Sequence, residues 1–398
     1  MKSLVEVFGI TACAATLATL VSCGGGSSSN NPSPPVQSSF TATSLVSDGA
    51  VPASHTDPNL KNPWGVAFNP KGFAWVADNG TNVATLYDGN GVPQSLVVTI
   101  PNGKNGTASP TGIVFNGTQS FNVAQNGKSG IAAFIFAGEG GTITAWAPAV
   151  GPTNAFTMYD DGTGGAVYKG LALAANNGAN FLYATDFHNN KIDVFDTNFA
   201  KVAMPGGFHD PAIPAGFAPF GIQAIGTSLF VTYAMQDPAK HDDVKGAGLG
   251  MVDVYDTAGN LKQHFATGGE LNAPWGIAQA PANFGSLSGA ILIGNFGDGL
   301  IHAFNASTGQ SMGSLNGATG SPIVHDGLWG LAFGNDLSNQ PSSTLFFAAG
   351  PNDEANGVYG RIDLSPASTT GSTTGSGTGS TTGSGTGTSS PGGSTTGM

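Results

Sequence analysis

The sequence predicts an all-β chain folded as a six-bladed β-propeller of four-stranded blades, with an N-terminal strand closing the last blade. Three observations carry this. A short anchor occurs six times, its spacing is nearly constant, and each copy leads into further short apolar runs separated by turn residues. The clearest anchors are Asn62-Pro63-Trp64-Gly65-Val66-Ala67, Ala273-Pro274-Trp275-Gly276-Ile277-Ala278, Ala218-Pro219-Phe220-Gly221-Ile222 and Gly327-Leu328-Trp329-Gly330-Leu331-Ala332. Looser copies are Pro110-Thr111-Gly112-Ile113-Val114 and Tyr168-Lys169-Gly170-Leu171-Ala172. Their glycines stand 47, 58, 51, 55 and 54 residues apart, a mean of 53. A period of about 50 residues made of short β-type runs belongs to propellers and solenoids.

Residues 1–22 read as an export leader. Lys2 supplies the basic start, and Val7 to Val21 is an apolar run of about 15 residues, short for a membrane span and right for a signal core. Leu20-Val21-Ser22-Cys23 resembles a bacterial lipoprotein lipobox. That resemblance implies cleavage before Cys23 and lipidation of its thiol; the alternative is a plain secretory signal with an incidental cysteine. Gly24 after it, by the same resemblance, favours the outer membrane. Residues 23–39 are a Gly/Ser/Asn/Pro tether.

The folded region spans 40–364. Each anchor begins an innermost strand, where glycine is needed because six strands converge on one axis, and where proline fits a strand's first residue. The aromatic residue before the glycine is expected to fill the space between adjacent blades. Second runs follow, such as Ala74 to Asp78, Phe181 to Asp186 and Ala290 to Asn295. Third runs alternate, as in Lys191-Ile192-Asp193-Val194-Phe195-Asp196, and a polar fourth run such as Leu261 to Phe265 ends the repeat. The sixth repeat has only three runs: Leu328 to Ala332, Thr344 to Ala349 and Val358 to Leu364. Phe40 to Ser47, ahead of the first anchor, is predicted to supply its outer strand and remove two open edges. From Ser365 to Met398 the chain is Ser/Thr/Gly with no apolar segment, a composition that predicts disorder.

Composition narrows function. The net charge is −12 with 12 Lys plus Arg, and Arg361 is the sole arginine. This excludes nucleic acid as a partner, since binding it needs basic side chains on phosphates. It also excludes sites built on clustered bidentate arginines. Cys13 and Cys23 are the only cysteines. With Cys13 in the leader and Cys23 at the lipobox, the domain has no disulfide, thiol nucleophile or cysteine-held metal.

Two family resemblances follow from the motifs. Val76-Ala77-Asp78 with Asn82, and Ala184-Thr185-Asp186 with Asn189-Asn190-Lys191, resemble the NHL repeat. The runs Thr56 to Gly65, Leu271 to Gly276, Gly294 to Gly299 and Asp326 to Gly330 are similar to an uncharacterised bacterial propeller family, some members of which end in a PEP-CTERM sorting segment. The resemblance covers nearly the whole folded region. It implies fold and envelope location, and no established activity.

The long loops 101–110, 205–219, 234–249, 267–274 and 316–328 fall on one face, which makes that face and the tunnel mouth the expected site. Asp57, Asp78, Asn79, Asp186, His188, Tyr233, Asn295 and Asp298 are the polar residues expected there. Resemblance to six-bladed lactonases implies one Ca²⁺-type ion in such a mouth, and Asp78, Asp186, Asn295 and Asp298 are the candidate ligands. The competing reading is that Asp and Asn here serve turn chemistry. Asp242-Asp243 reads as a solvated loop pair, and no nucleophile with a neighbouring base stands out. Phe208, Phe217, Phe220 and Tyr233 are expected to line a recognition face. The expected function is a lipid-anchored envelope binding or scaffold module. It would be a monomer, held to the membrane by its lipid, with an envelope protein, glycan or small molecule as partner. The alternative is a Ca²⁺-type cation-dependent hydrolase or lactonase.

Overall fold

The computed structural model describes residues 37–366. The expected leader, Cys23 and the Ser/Thr/Gly tail beyond residue 366 lie outside them. The described residues form six blades in a ring. Blade 1 comprises strands Pro63–Phe68, Ala74–Asp78, Val83–Tyr87 and Val98–Thr99. Blade 2 comprises Pro110–Phe115, Phe134–Gly138, Thr142–Trp146 and Phe156–Asp160. Blades 3 and 4 begin at Tyr168–Asn176 and Phe217–Ile225, and blade 5 at Pro274–Gln279. Blade 6 runs Leu328–Phe333, Leu345–Ala349, Val358–Leu364. Each sheet is ordered from the axis outward, and the inner strands of blades 6 and 1 meet as neighbours. No α-helix occurs among the described residues.

The predicted closure is present. Phe40–Ser47 pairs antiparallel with Val358–Leu364, with Phe40 opposite Leu364 and Ser47 opposite Val358. His55–Thr56 adds a short parallel pairing outside it. Phe40 is buried and packs on Phe284 of blade 5, ring centroids 4.7 Å apart. Blade 2 departs from the simple plan, since a hairpin of Asn122–Gln125 and Lys128–Ile131 is inserted between its first two strands. It accounts for the longest anchor spacing.

The anchor glycines are fixed by crowding. A Cβ on Gly221 would lie 2.1 Å from the Trp275 carbonyl oxygen, one on Gly276 2.3 Å from that of Trp329, and one on Gly330 2.4 Å from that of Trp64. Each inner strand thus abuts the backbone of the next blade's anchor, leaving no room for a side chain. Larger residues fill the spaces between blades further out: Trp75 of blade 1 stacks on Phe134 of blade 2 at 4.1 Å, and Tyr87 of blade 1 on Tyr359 of blade 6 at 5.2 Å.

The anchor aromatics behave differently from expectation. Trp64, Phe220, Trp275 and Trp329 turn toward the axis and pack on one another, with Phe187 and Phe296, in a single buried cluster. At the start of an inner strand the nearest unfilled apolar volume is the tunnel itself, and burying a large aromatic there stabilises by about 1.5–3 kcal/mol.

Candidate functional site

The axis of the ring carries four layers. On the face where inner strands end, a funnel of about 550 Å³ opens to solvent, lined by Val66, Ile113, Leu171, Gln223, Ile277, Leu331 and their neighbours. It narrows to a void of about 40 Å³ at the level of the anchor glycines. The aromatic plug lies next. Trp64 and Trp329 stack at 3.5 Å, and Trp275 meets Trp64 edge-on at 5.6 Å. A polar network then covers the plug on the loop-rich face.

Lys169 is the centre of that network. It occupies the anchor position held by tryptophan in three other blades, and it is only 1% exposed. Its Nζ lies 5.0 Å from the Trp64 ring centroid. It ion-pairs with Glu139 of blade 2 and approaches Asp242 of the 236–249 loop at 3.4 Å. Burial alone would pull its pKa down, but Glu139 and Asp242 outweigh this and raise it. Asn79 donates to Glu139 at 2.8 Å; Asn62 donates to Glu354 at 2.6 Å and accepts the Trp329 indole N–H at 3.0 Å. Asp242 accepts from His241 at 2.8 Å, which holds the Asp242 carboxyl down to about 2 and raises His241.

Beside the network lies a cleft of about 490 Å³, walled by Asn105, Thr107, Ser109, Glu139, His188 and His241. The 102–109 and 236–249 loops build it, on the face and from two of the loops expected. Glu139, His241 and Asp242 could together hold a metal, with ligand atoms within 4.8 Å of one another. The Lys169 ammonium already sits against two of the three.

The four expected ligands occupy three separate blades. Asp78 is fully buried in blade 1; Thr85 donates to one oxygen at 2.8 Å, the other has no hydrogen-bond partner among the described residues, and burial pushes its pKa well up. Asp186 of blade 3 accepts from the Asn189 side chain at 2.8 Å and the Val167 N–H at 3.2 Å. Asn295 and Asp298 share one hairpin in blade 5, where Asn295 donates to the Glu270 carbonyl at 2.7 Å and Asp298 accepts the Leu300 N–H at 3.1 Å. Asp186 and Asp298 accept from residues of their own hairpins, whereas Asp78 and Asn295 each keep a buried oxygen with no hydrogen-bond partner among the described residues.

Phe217, Phe220 and Tyr233 are buried rather than displayed, and Phe208 packs between Tyr183 and Tyr255. Aromatics on these loops fold inward because the blade flanks offer apolar surface within reach. Asp243, read from sequence as solvated, is half-buried, with one carboxylate oxygen lacking a hydrogen-bond partner among the described residues. Lys169 went unsingled in the sequence. The available signal was its place in an anchor slot otherwise filled by aromatics or threonine.

No protein-family model matches the chain. Among solved structures, a protein of unknown function from Bacteroides thetaiotaomicron superimposes with a TM-score of 0.51 at 10% identity, over 82% of this chain and 77% of that one. A streptogramin B lyase (15% identity, 82% and 97% coverage) and the soluble aldose sugar dehydrogenase of Escherichia coli (13%, 82% and 100%) give TM-scores of 0.47 and 0.48. The likeness to the Bacteroides protein speaks for the fold alone. In sequence, the chain is 35% identical to uncharacterized protein R648 of Acanthamoeba polyphaga mimivirus over 328 residues, 80% of this chain and 78% of that protein. It is 33% identical to uncharacterized protein L690 of the same virus over 325 residues, 80% and 84%. These relatives are viral, where the sequence resemblance pointed to bacterial ones. The chain belongs to the same family as R648 and L690.

Proposed function

We propose that the protein is an exported, lipid-anchored binding or scaffold propeller that engages an envelope protein, a glycan or a small molecule. The lipobox-like Leu20 to Cys23 supports the anchor and an outer-membrane address. The observation that carries the binding reading is Lys169. Its ammonium pairs with Glu139 and lies 3.4 Å from Asp242, so a positive charge supplied by the fold already stands against the two carboxylates that a bound cation would need. The funnel on the other face has no titratable residue in its lining, so it offers surface for binding and no acid, base or nucleophile.

The hydrolase reading rests on the Glu139, His241 and Asp242 triad beside an open cleft. Lactone and ester hydrolysis assayed with and without CaCl₂ separates the two. Absence of Ca²⁺-dependent turnover is expected. Turnover that requires Ca²⁺ and is lost in Glu139→Gln overturns the binding reading. For the anchor, Cys23→Ser is expected to move the protein from membrane to soluble fractions; a variant that stays in the membrane fraction removes the lipid from the proposal.

A further inference from the structure

A second group of three ligands lies away from the axis, on the flank of blade 4. Asp210 comes from the crossover loop between blades 3 and 4, Asp253 from strand Gly250–Asp256, and His264 from the outer strand Leu261–Thr267. The side chains of Asp210 and Asp253 are 1% and 3% exposed, whereas that of His264 is 53% exposed. The group is therefore two buried carboxylates closed on the solvent side by one imidazole.

Each carboxylate has one oxygen fixed by an outer partner. The Ala212 N–H donates to Asp210 Oδ1 at 2.8 Å, and the Tyr255 hydroxyl donates to Asp253 Oδ2 at 3.3 Å, itself 2.7 Å from the Tyr233 hydroxyl. The other two oxygens face the same atom. His264 Nδ1 is 3.1 Å from Asp210 Oδ2 and 3.3 Å from Asp253 Oδ1. A ring nitrogen carries at most one hydrogen and can satisfy only one of them. Asp210 Oδ2 is left buried with no hydrogen-bond partner among the described residues. Neither carboxylate is paired with a lysine or arginine among the described residues, in contrast to the Glu139 group.

We infer that Asp210, Asp253 and His264 form a binding site for a divalent first-row transition-metal ion of the Zn²⁺ type. A tetrahedral centre with bonds of about 2.0–2.1 Å holds neighbouring donors roughly 3.3–3.4 Å apart, equal to the 3.3 Å from Asp253 Oδ1 and slightly longer than the 3.1 Å from Asp210 Oδ2. One imidazole with two carboxylates suits Zn²⁺ or its neighbours, whereas Ca²⁺ needs roughly 6–8 oxygens. The ion's two positive charges would balance the two carboxylates, and pinned outer oxygens are what such sites use to orient their ligands. A fourth position stays open on the His264 side. Bound there, the metal would clip the crossover loop to blade 4. This site is independent of the role proposed for the tunnel.

The test is calorimetric titration of the full chain with ZnCl₂, with Co²⁺ absorption as a second readout of coordination. A single equivalent bound, with a higher melting temperature, is expected. Asp210→Asn and His264→Gln should each weaken binding by more than the roughly 10–100-fold that loss of an outer partner costs. Glu139→Gln, at the other triad, should leave affinity unchanged. His264 is half exposed, so its variant is expected to fold, and circular dichroism checks this. Absence of binding, or affinity unchanged in both Asp210→Asn and His264→Gln, overturns the site and leaves His264 as a hydrogen-bonding cover over two aspartates.

Discussion

Trp64 stacks on Trp329 with ring centroids 3.5 Å apart and planes within 16°. The first and last blades are thus joined at the axis as well as at the rim. Truncating Trp329 to alanine should destabilise the fold by about 3–5 kcal/mol. It removes the stack, the contact with Phe296 at 3.9 Å and the donor to Asn62. Urea denaturation monitored by fluorescence of the remaining tryptophans checks this; a loss under about 1 kcal/mol would mean the plug merely fills space.

Gly221 and Gly106 make a matched comparison. A methyl on Gly221 meets the Trp275 carbonyl at 2.1 Å, whereas one on Gly106 has its nearest neighbour at 3.8 Å. Gly221→Ala should cost about 1–3 kcal/mol or prevent folding, and Gly106→Ala should stay within about 0.5 kcal/mol. Equal costs would refute crowding as the reason for the anchor glycine.

Removing residues 38–47 should leave strand Val358–Leu364 as an open edge. Open edges pair with other chains, so the deletion is expected to broaden thermal unfolding and to add dimers or larger species in size-exclusion chromatography. A monomeric deletion that melts as sharply as the parent would show that closure needs only the axial contacts.

Lys169→Met leaves Glu139 and Asp242 without their cation. Loss of one partner from a buried pair costs about 3–5 kcal/mol. Adding Glu139→Gln should recover part of that loss, because the stranded charge is gone. The double-mutant cycle measures the coupling, and strict additivity would argue that the pair does not interact.

Asp243 gives a pH signature. Burial pushes its carboxyl up to about 7 from an ordinary 3.8. The folded state therefore holds a proton that the unfolded chain has lost, so its contribution is full below about pH 4 and is lost as pH rises through about 7. Asp243→Asn cannot ionise. Its stability relative to the parent should improve between about pH 4 and about pH 8 by up to about 4 kcal/mol, read from urea midpoints. A constant difference would mean that Asp243 is ionised throughout.

The ring was legible in the sequence because its cause is periodic. Every inner strand meets the same obstacle, the neighbouring backbone, and answers with the same glycine. The closing strand was legible for a related reason: a blade with three runs needs a fourth, and Phe40 to Ser47 was the unassigned run. The direction of Trp64 and Trp329 was hidden, because alternation along a strand does not say which face meets the axis. Lys169, Glu139 and Asp242 stand on three different blades, so only the assembled ring shows that they meet. Asp210, Asp253 and His264 were hidden likewise, on a crossover loop and two strands with no ligand-like spacing among them.

Pairing of Phe40 with Leu364 brings the two ends of the folded region side by side: the Ser365 N–H donates to the Ser39 carbonyl at 2.9 Å, and the Thr41 and Ser365 hydroxyls are 2.8 Å apart. The order in which the blades are written along the gene is therefore arbitrary with respect to the finished ring. A circular permutant that joins residue 39 to residue 365 through a short linker and opens at the exposed Asn126-Gly127 turn should fold to the same propeller, with its new ends carried on blade 2.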